Sequence, residues 1–156
     1  MSSTHVLAPI EGTAVALADI PDPVFAGGMV GYGAAIDPPH RVVDAVAPVG
    51  GTILKLLPHA YVIMTPDKVG ILVHLGLDTV QLQGSGFTAH VAQGDTVTAG
   101  QRVITYDVPA IVAAGFSPVV PVVVMDEREP GNVAVADEVT GAGPIGCGAT
   151  LFTATK

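Results

Sequence analysis

Glycine and proline cut this chain into pieces too short for long helices. There are 19 Gly and 13 Pro among 156 residues. Between them lie runs rich in β-branched residues: Val42 to Val49, Thr52 to Leu57, Tyr61 to Met64, Ile71 to Leu75, Val103 to Tyr106 and Val119 to Val124. Inside a helix, Gly costs about 1 kcal/mol and Pro about 3 kcal/mol relative to Ala, and β-branched side chains lose rotamer freedom there. Short runs bounded by turn residues predict an all-β sandwich or barrel. The best helical candidate is Pro109 to Ala114, with Pro in the first turn and Gly115 as a stop. Ala8-Pro9-Ile10-Glu11-Gly12-Thr13 and Ala47-Pro48-Val49-Gly50-Gly51-Thr52 read alike, each as a strand end, a turn and a new strand. Shared turn chemistry and an internal structural duplication are both open explanations.

Apolar residues make up 49% of the chain and charged ones 13%, a balance that excludes disorder. The length suits one domain spanning residues 1–156, and no linker divides it; the polar stretch Asp126 to Asn132 reads as a loop, with too little after it to fold alone. Every long apolar run is interrupted well before the roughly 18 to 20 residues that a membrane span needs, and the first residues lack a secretory pattern. Direct membrane insertion is therefore not expected. The single cysteine, Cys147, forms neither an internal disulfide nor a cysteine metal site, which fits a cytoplasmic location. A formal charge of −8 argues against nucleic acid as a partner and is compatible with a basic protein surface.

Of the five histidines, His5, His40 and His90 read as surface residues. His59 and His74 differ. They flank two apolar runs joined by Thr65-Pro66-Asp67-Lys68-Val69-Gly70, which reads as a hairpin. A turn centred near Pro66-Asp67 places His59 directly opposite His74, with Cβ atoms roughly 4.5 to 5.5 Å apart. Three chemistries suit such a pair. Zinc binding wants three or four ligands, and the local set is His59, His74 and Asp78, with no His-Glu-x-x-His motif. Hydrolysis wants an activated Ser or Cys, and Gly84-Ser85-Gly86 lacks the spacing of a nucleophile elbow. Nucleophilic catalysis by histidine needs one neutral imidazole, oriented through its second nitrogen, and a donor for phosphoryl oxygens.

Leu72 to Phe87 reads LVHLGLDTVQLQGSGF. It resembles the phosphorylation-site signature of the glucose-type IIA family of the phosphoenolpyruvate:sugar phosphotransferase system, a His-x-Gly-x-Asp-Thr-Val core followed by Gly-x-Gly-Phe. Pro21-Asp22-Pro23-Val24-Phe25-Ala26, Ala47-Pro48-Val49 with Gly51-Thr52-Ile53, Pro58-His59-Ala60, Thr96 to Gly100, Asp107-Val108-Pro109 and Pro121 to Val124 resemble further family segments in the family's order. The resemblance implies an antiparallel β-sandwich, or barrel-sandwich hybrid, with short helical turns. It implies a phosphotransferase in which His74 accepts a phosphoryl group from the phosphohistidine of HPr and passes it to a cysteine of a sugar-permease IIB domain. His59 would be the accessory residue, Gly76 and Asp78 would support the phosphoryl site, and Asp22, Val24 and Phe25 would form the partner-binding rim. No cofactor is obligatory; zinc shared with a partner at His59 and His74 is the metal site left open. Regulatory proteins that dock according to phosphorylation state are a second class of partner, and a zinc-dependent hydrolase is the remaining alternative. The chain departs from the family at Leu57, where a Thr usually precedes the accessory histidine, at Leu72 and Leu75, where Phe is common, and at Ser85, often Glu.

Overall fold

The structure is a computed structural model that describes residues 3–155, and its strands are short and antiparallel throughout. In chain order they are β1 (Ser3–Leu7), β2 (Gly12–Ala16), β3 (Gly31–Asp37), β4 (Val42–Val46), β5 (Gly51–Leu57), β6 (Ala60–Met64) and β7 (Gly70–His74). There follow β8 (Phe87–Ala89), β9 (Thr96–Val97), β10 (Arg102–Asp107), β11 (Val120–Met125), β12 (Val133–Val135), β13 (Pro144–Ile145) and β14 (Thr150–Thr155). Three short helices intervene: α1 (Pro23–Ala26), α2 (Val108–Ala113) and α3 (Asp137–Thr140). Among the described residues, no helix is long and apolar enough to cross a membrane. The six apolar runs of the sequence are β4, β5, β6, β7, β10 and β11. The expected helix is α2, where the Asp107 carboxylate accepts from the Ala110 amide at 3.2 Å and so satisfies an open helix donor.

The sheets reveal an internal duplication. An eight-stranded sheet runs β13-β2-β3-β11-β7-β6-β5-β9, and two three-stranded sheets run β1-β14-β12 and β4-β10-β8. Exchange β1 with β4, β2 with β5, β3 with β6, β11 with β7, β12 with β8, β13 with β9 and β14 with β10. The large sheet then maps onto itself reversed, and the two small sheets change places. Register follows: Thr153 pairs with His5 where Thr105 pairs with Asp44, and Val133 pairs with Ala154 where Phe87 pairs with Tyr106. The two similar phrases of the sequence meet at the centre of this relation. Leu7 N donates to Pro48 O and Val46 N donates to Pro9 O, both at 2.9 Å. Gly12 and Gly51 are equivalent for a physical reason: a Cβ on either would lie 2.2 Å from a carbonyl oxygen, that of Asp37 or that of Met64. Duplication, rather than shared turn chemistry alone, accounts for the phrases. One half is continuous (42–107) and is inserted into the other (3–37 with 120–155).

Alternation along β7 decides where chemistry can sit. Ile71 and Val73 point into the main core beside Ile36, Ile63, Val122 and Tyr61. Leu72 and His74 point to the other face. Most of that face is covered by a second apolar cluster of Leu17, Ile20, Phe25, Ala35, Leu77, Val119 and Val123, with Leu72 packed against it. Residues Ala60–Ile63 of β6 are all buried, so this strand reads as a continuous apolar run instead of an alternating one. His74, the last residue of β7, emerges at the border of the second cluster.

Candidate functional site

The hairpin register differs by one residue from the sequence expectation. Ala60, not His59, stands opposite His74. The connection Thr65–Val69 has its middle at Asp67, closed by Thr65 N to Val69 O and Lys68 N to Thr65 O, both 2.9 Å, and by Val69 N to the Thr65 hydroxyl at 3.0 Å. An odd-numbered turn moves every cross-strand partner by one. His59 is therefore not a strand residue: with Pro58 it forms the two-residue connection between Leu57 of β5 and Ala60 of β6. The imidazoles still meet. Their ring centroids lie 5.0 Å apart at an interplanar angle of 70°, and Leu75 N donates to His59 O at 2.7 Å, which extends the ladder past the strand end.

His74 is oriented by its own backbone. Its Nδ1 lies 2.6 Å from the Gly76 carbonyl oxygen. A carbonyl only accepts, so Nδ1 carries the proton and Nε2 keeps its lone pair. The carbonyl is aimed by a tight turn in which Gly76 has φ +86°, and a Cβ there would sit 2.5 Å from Thr79 Cγ2. Thr79, fully buried, locks the same turn by donating its hydroxyl to Leu75 O at 2.7 Å. Burial lowers the pKa of His74 below the ordinary 6.5, against the opposing pull of the Gly76 carbonyl and the Asp22 and Asp78 carboxylates. His59 is lowered by burial and then by His74. At pH 7 both rings are neutral, the state a nitrogen nucleophile requires.

Aromatic rings continue the site on both sides. Phe25 lies against His74 with centroids 5.3 Å apart, and Phe87 meets His59 at 6.5 Å with an interplanar angle of 62°. Phe87 in turn stacks on Tyr106 at 5.6 Å and 11°. Tyr106 is buried, its hydroxyl donates to Pro118 O at 2.9 Å, and desolvation raises its pKa far above the ordinary value, with Asp37 adding to the effect.

The structure thus brings His74, His59 and Gly76 together, His59 from the β5–β6 turn and not from the expected cross-strand position, with Asp78 beside them in the left-handed region at φ +61°. The three residues expected at the rim divide their roles. Val24 is 46% exposed and faces outward, whereas Phe25 is 8% exposed and forms a floor under the His74 ring. Asp22 caps α1, accepting from Val24 N at 2.9 Å and Phe25 N at 3.3 Å, and adds negative charge near His74. His5, His40 and His90 are exposed. Sequence reasoning passed over Thr79, Phe87 and Tyr106. Phe87 closes the signature segment and was the available signal; Tyr106 is revealed only by the pairing of β8 with β10. As a zinc site the pair is incomplete. No cluster of three or more His, Cys, Asp or Glu able to hold a metal occurs among the described residues, and Nδ1 of His74 is already engaged.

Comparison with known proteins identifies the class. Residues 4–129 match the family model of the phosphoenolpyruvate-dependent sugar phosphotransferase system, EIIA 1. The chain is 46% identical over 121 residues to the glucose-specific EIIA component of Halalkalibacterium halodurans, an alignment covering 76% of this chain and 69% of that one. It is 41% identical over 128 residues to the mannose-specific EIIBCA component of Corynebacterium glutamicum, covering 82% of this chain but 19% of that one. The solved glucose permease IIA of Mycoplasma capricolum superposes with a TM-score of 0.86 at 33% identity, covering 98% of this chain and 96% of that one. The protein belongs to the phosphoenolpyruvate-dependent sugar phosphotransferase system EIIA 1 family. The fold is that family's β-sandwich, and the family's work is phosphoryl relay.

Proposed function

We propose that this chain carries phosphoryl groups on His74 Nε2, taking them from the phosphohistidine of HPr and delivering them to the cysteine of a sugar-permease IIB domain in the cytoplasm. The observation that carries the reading is the bond between His74 Nδ1 and Gly76 O, which fixes the tautomer with Nε2 as the nucleophile. The Nε2 lone pair attacks phosphorus as the donor's N–P bond breaks, and the donor imidazole leaves. In the second step the IIB thiolate attacks, the P–S bond forms and the bond to His74 Nε2 breaks. Such transfer depends mostly on in-line positioning and charge stabilisation. An N–H of His59, whose ring lies 5.0 Å from that of His74, would stabilise the phosphoryl oxygens. Phe25 below and Val24 beside the site exclude water from the labile N–P bond once a partner docks.

The charges acting on His74 are the carboxylates of Asp22 and Asp78. They attract a basic partner and repel a free phosphoryl group, so the cation that offsets the transferred charge comes from the partner. Zinc, if bound, would use His59 and His74 with a partner's ligands completing its shell. The test is a reconstituted relay of phosphoenolpyruvate, enzyme I, HPr and this chain, read by intact mass. One added phosphoryl group is expected, labile to acid as phosphohistidine is, and absent in His74→Ala. Labelling that persists in His74→Ala refutes the assignment.

A further inference from the structure

We infer that Phe87 and Tyr106 are positioning residues for His59, holding its imidazole by ring packing where no side-chain hydrogen bond does so. The inference rests on the relay reading, because it concerns the ring that faces the transferred phosphoryl group. Neither ring nitrogen of His59 has a hydrogen-bonding partner among the described residues, and the side chain of Leu57, two residues earlier, has no polar group to offer one. Nor is either nitrogen sealed from solvent, since no buried side-chain nitrogen or oxygen lacks a partner among the described residues. An imidazole without such a bond can turn over and present the wrong nitrogen, unless its neighbours leave one orientation.

Those neighbours form a braced stack. Phe87 meets His59 at 62°, within the edge-to-face range that aromatic rings prefer. Phe87 lies on the three-residue β8, a half-buried position that by itself would hold a ring loosely. It is fixed by its cross-strand partner Tyr106, on which it stacks at 11°. Tyr106 is tied by its hydroxyl to Pro118 O. The neighbouring carbonyl, Ser117 O, accepts from Leu77 N at 3.0 Å, and both this oxygen and the Tyr106 hydroxyl would lie 3.1 Å from a Cβ placed on Gly76. The segment that anchors the stack behind His59 therefore also braces the turn whose carbonyl orients His74. One support fixes both rings.

The duplicated architecture provides the comparison that separates this role from ordinary core filling. In the other half the positions of Phe87 and Tyr106 are held by Val133 and Ala154, paired in the same register. There the aromatic volume is missing, and a cleft of about 340 Å³ opens, lined in part by Ala154, Val124, Met125 and Val69. The scaffold closes its sheets without the stack. Rings occupy this position in the half that carries the two histidines.

The test uses the full chain with HPr and a IIB partner, and ¹⁵N-resolved imidazole and NOE spectra of the free protein. Phe87→Leu should replace the single set of NOE contacts from the His59 ring protons to the His74 and residue-87 side chains by those of two ring orientations, while His74 retains its Nδ1–H. Transfer to IIB should slow by about tenfold in kcat with little change in KM. Tyr106→Phe keeps the ring and removes the anchor, and should give a smaller change of the same sign; Phe87→Tyr should restore the wild-type pattern. Wild-type His59 signals in Phe87→Leu overturn the inference, as does a rise confined to KM, which would mark Phe87 as a partner contact only. Failure of the wild-type chain to take up phosphoryl would instead strike the relay reading, and the spectra of the free protein would still decide the positioning role.

Discussion

The amide of Leu75 donates to the carbonyl of His59 across 2.7 Å. Leu75 also gives its own carbonyl to the buried hydroxyl of Thr79. One residue next to His74 thus holds the His59 turn with its N–H and the His74-orienting turn with its C=O. The backbones that carry the two imidazoles are thereby held in fixed register.

From that arrangement, and on the proposed relay, His59→Gln should leave the backbone bond and the His74 ring intact. Acceptance by His74 should stay within several-fold of wild type, while onward transfer to IIB falls by about 10²-fold, the usual loss when one preorganised donor is removed. Rapid-quench measurement of the two half-reactions checks this. Delivery at the wild-type rate would remove His59 from the mechanism.

Gly76→Ala should damage both stability and chemistry. The substitution puts a Cβ at positive φ and 2.5 Å from Thr79 Cγ2, which costs of order 1–3 kcal/mol. For a chain of this size that corresponds to a melting temperature lower by roughly 3–10 °C. Phosphoryl uptake should drop further than stability alone explains, because the carbonyl that fixes the His74 tautomer moves. Melting curves and uptake kinetics on the same sample separate the two effects.

Stability should decline as pH falls below about 6.5, the unfolded-state pKa of histidine. The folded-state values of His59 and His74 are both lowered, so the unfolded chain binds more protons between the two values and acid favours it. The contribution is fully present above 6.5, is lost as pH drops through the folded values, and levels off beneath them. Urea unfolding from pH 7.5 to pH 5 should show a smaller loss in the double variant His59→Gln/His74→Gln than in wild type. Equal slopes would contradict the assignment.

Gly12→Ala and Gly51→Ala should destabilise by similar amounts, each more than about 2 kcal/mol, since each forces a Cβ to within 2.2 Å of a backbone oxygen. Chemical denaturation of the two variants reads this directly. A large effect at one site with none at the other would show that the two halves do not carry matched loads.

Much of this molecule was legible in its sequence, and particular residues show why the rest was not. Ile71 to Leu75 read as a strand because Ile71, Leu72, Val73 and Leu75 are apolar and span both faces. Gly31 to Asp37 did not, because close sheet contacts there demand Gly and Ala, whose own propensity signals a turn or helix. His74 and His59 were found through spacing and family resemblance. Their register was missed by one residue because the length of a turn depends on bonds such as Val69 N to the Thr65 hydroxyl, which no apolar pattern encodes. Tyr106 was invisible as part of the site, since a buried Tyr in a strand looks like core until its cross-strand partner is known.

The insertion of one half within the other has a consequence during synthesis. Residues 42–107, with β7 and both histidines, leave the ribosome before β11, which pairs with β7 through Val122 and Val73. Until Met125 is made, the strand that ends in His74 has one row of amides and carbonyls open to any passing strand. This is a vulnerable interval for a nascent chain. Delayed or truncated translation in the stretch between α2 and β11 should therefore raise aggregation more than the same delay placed after β11 has docked.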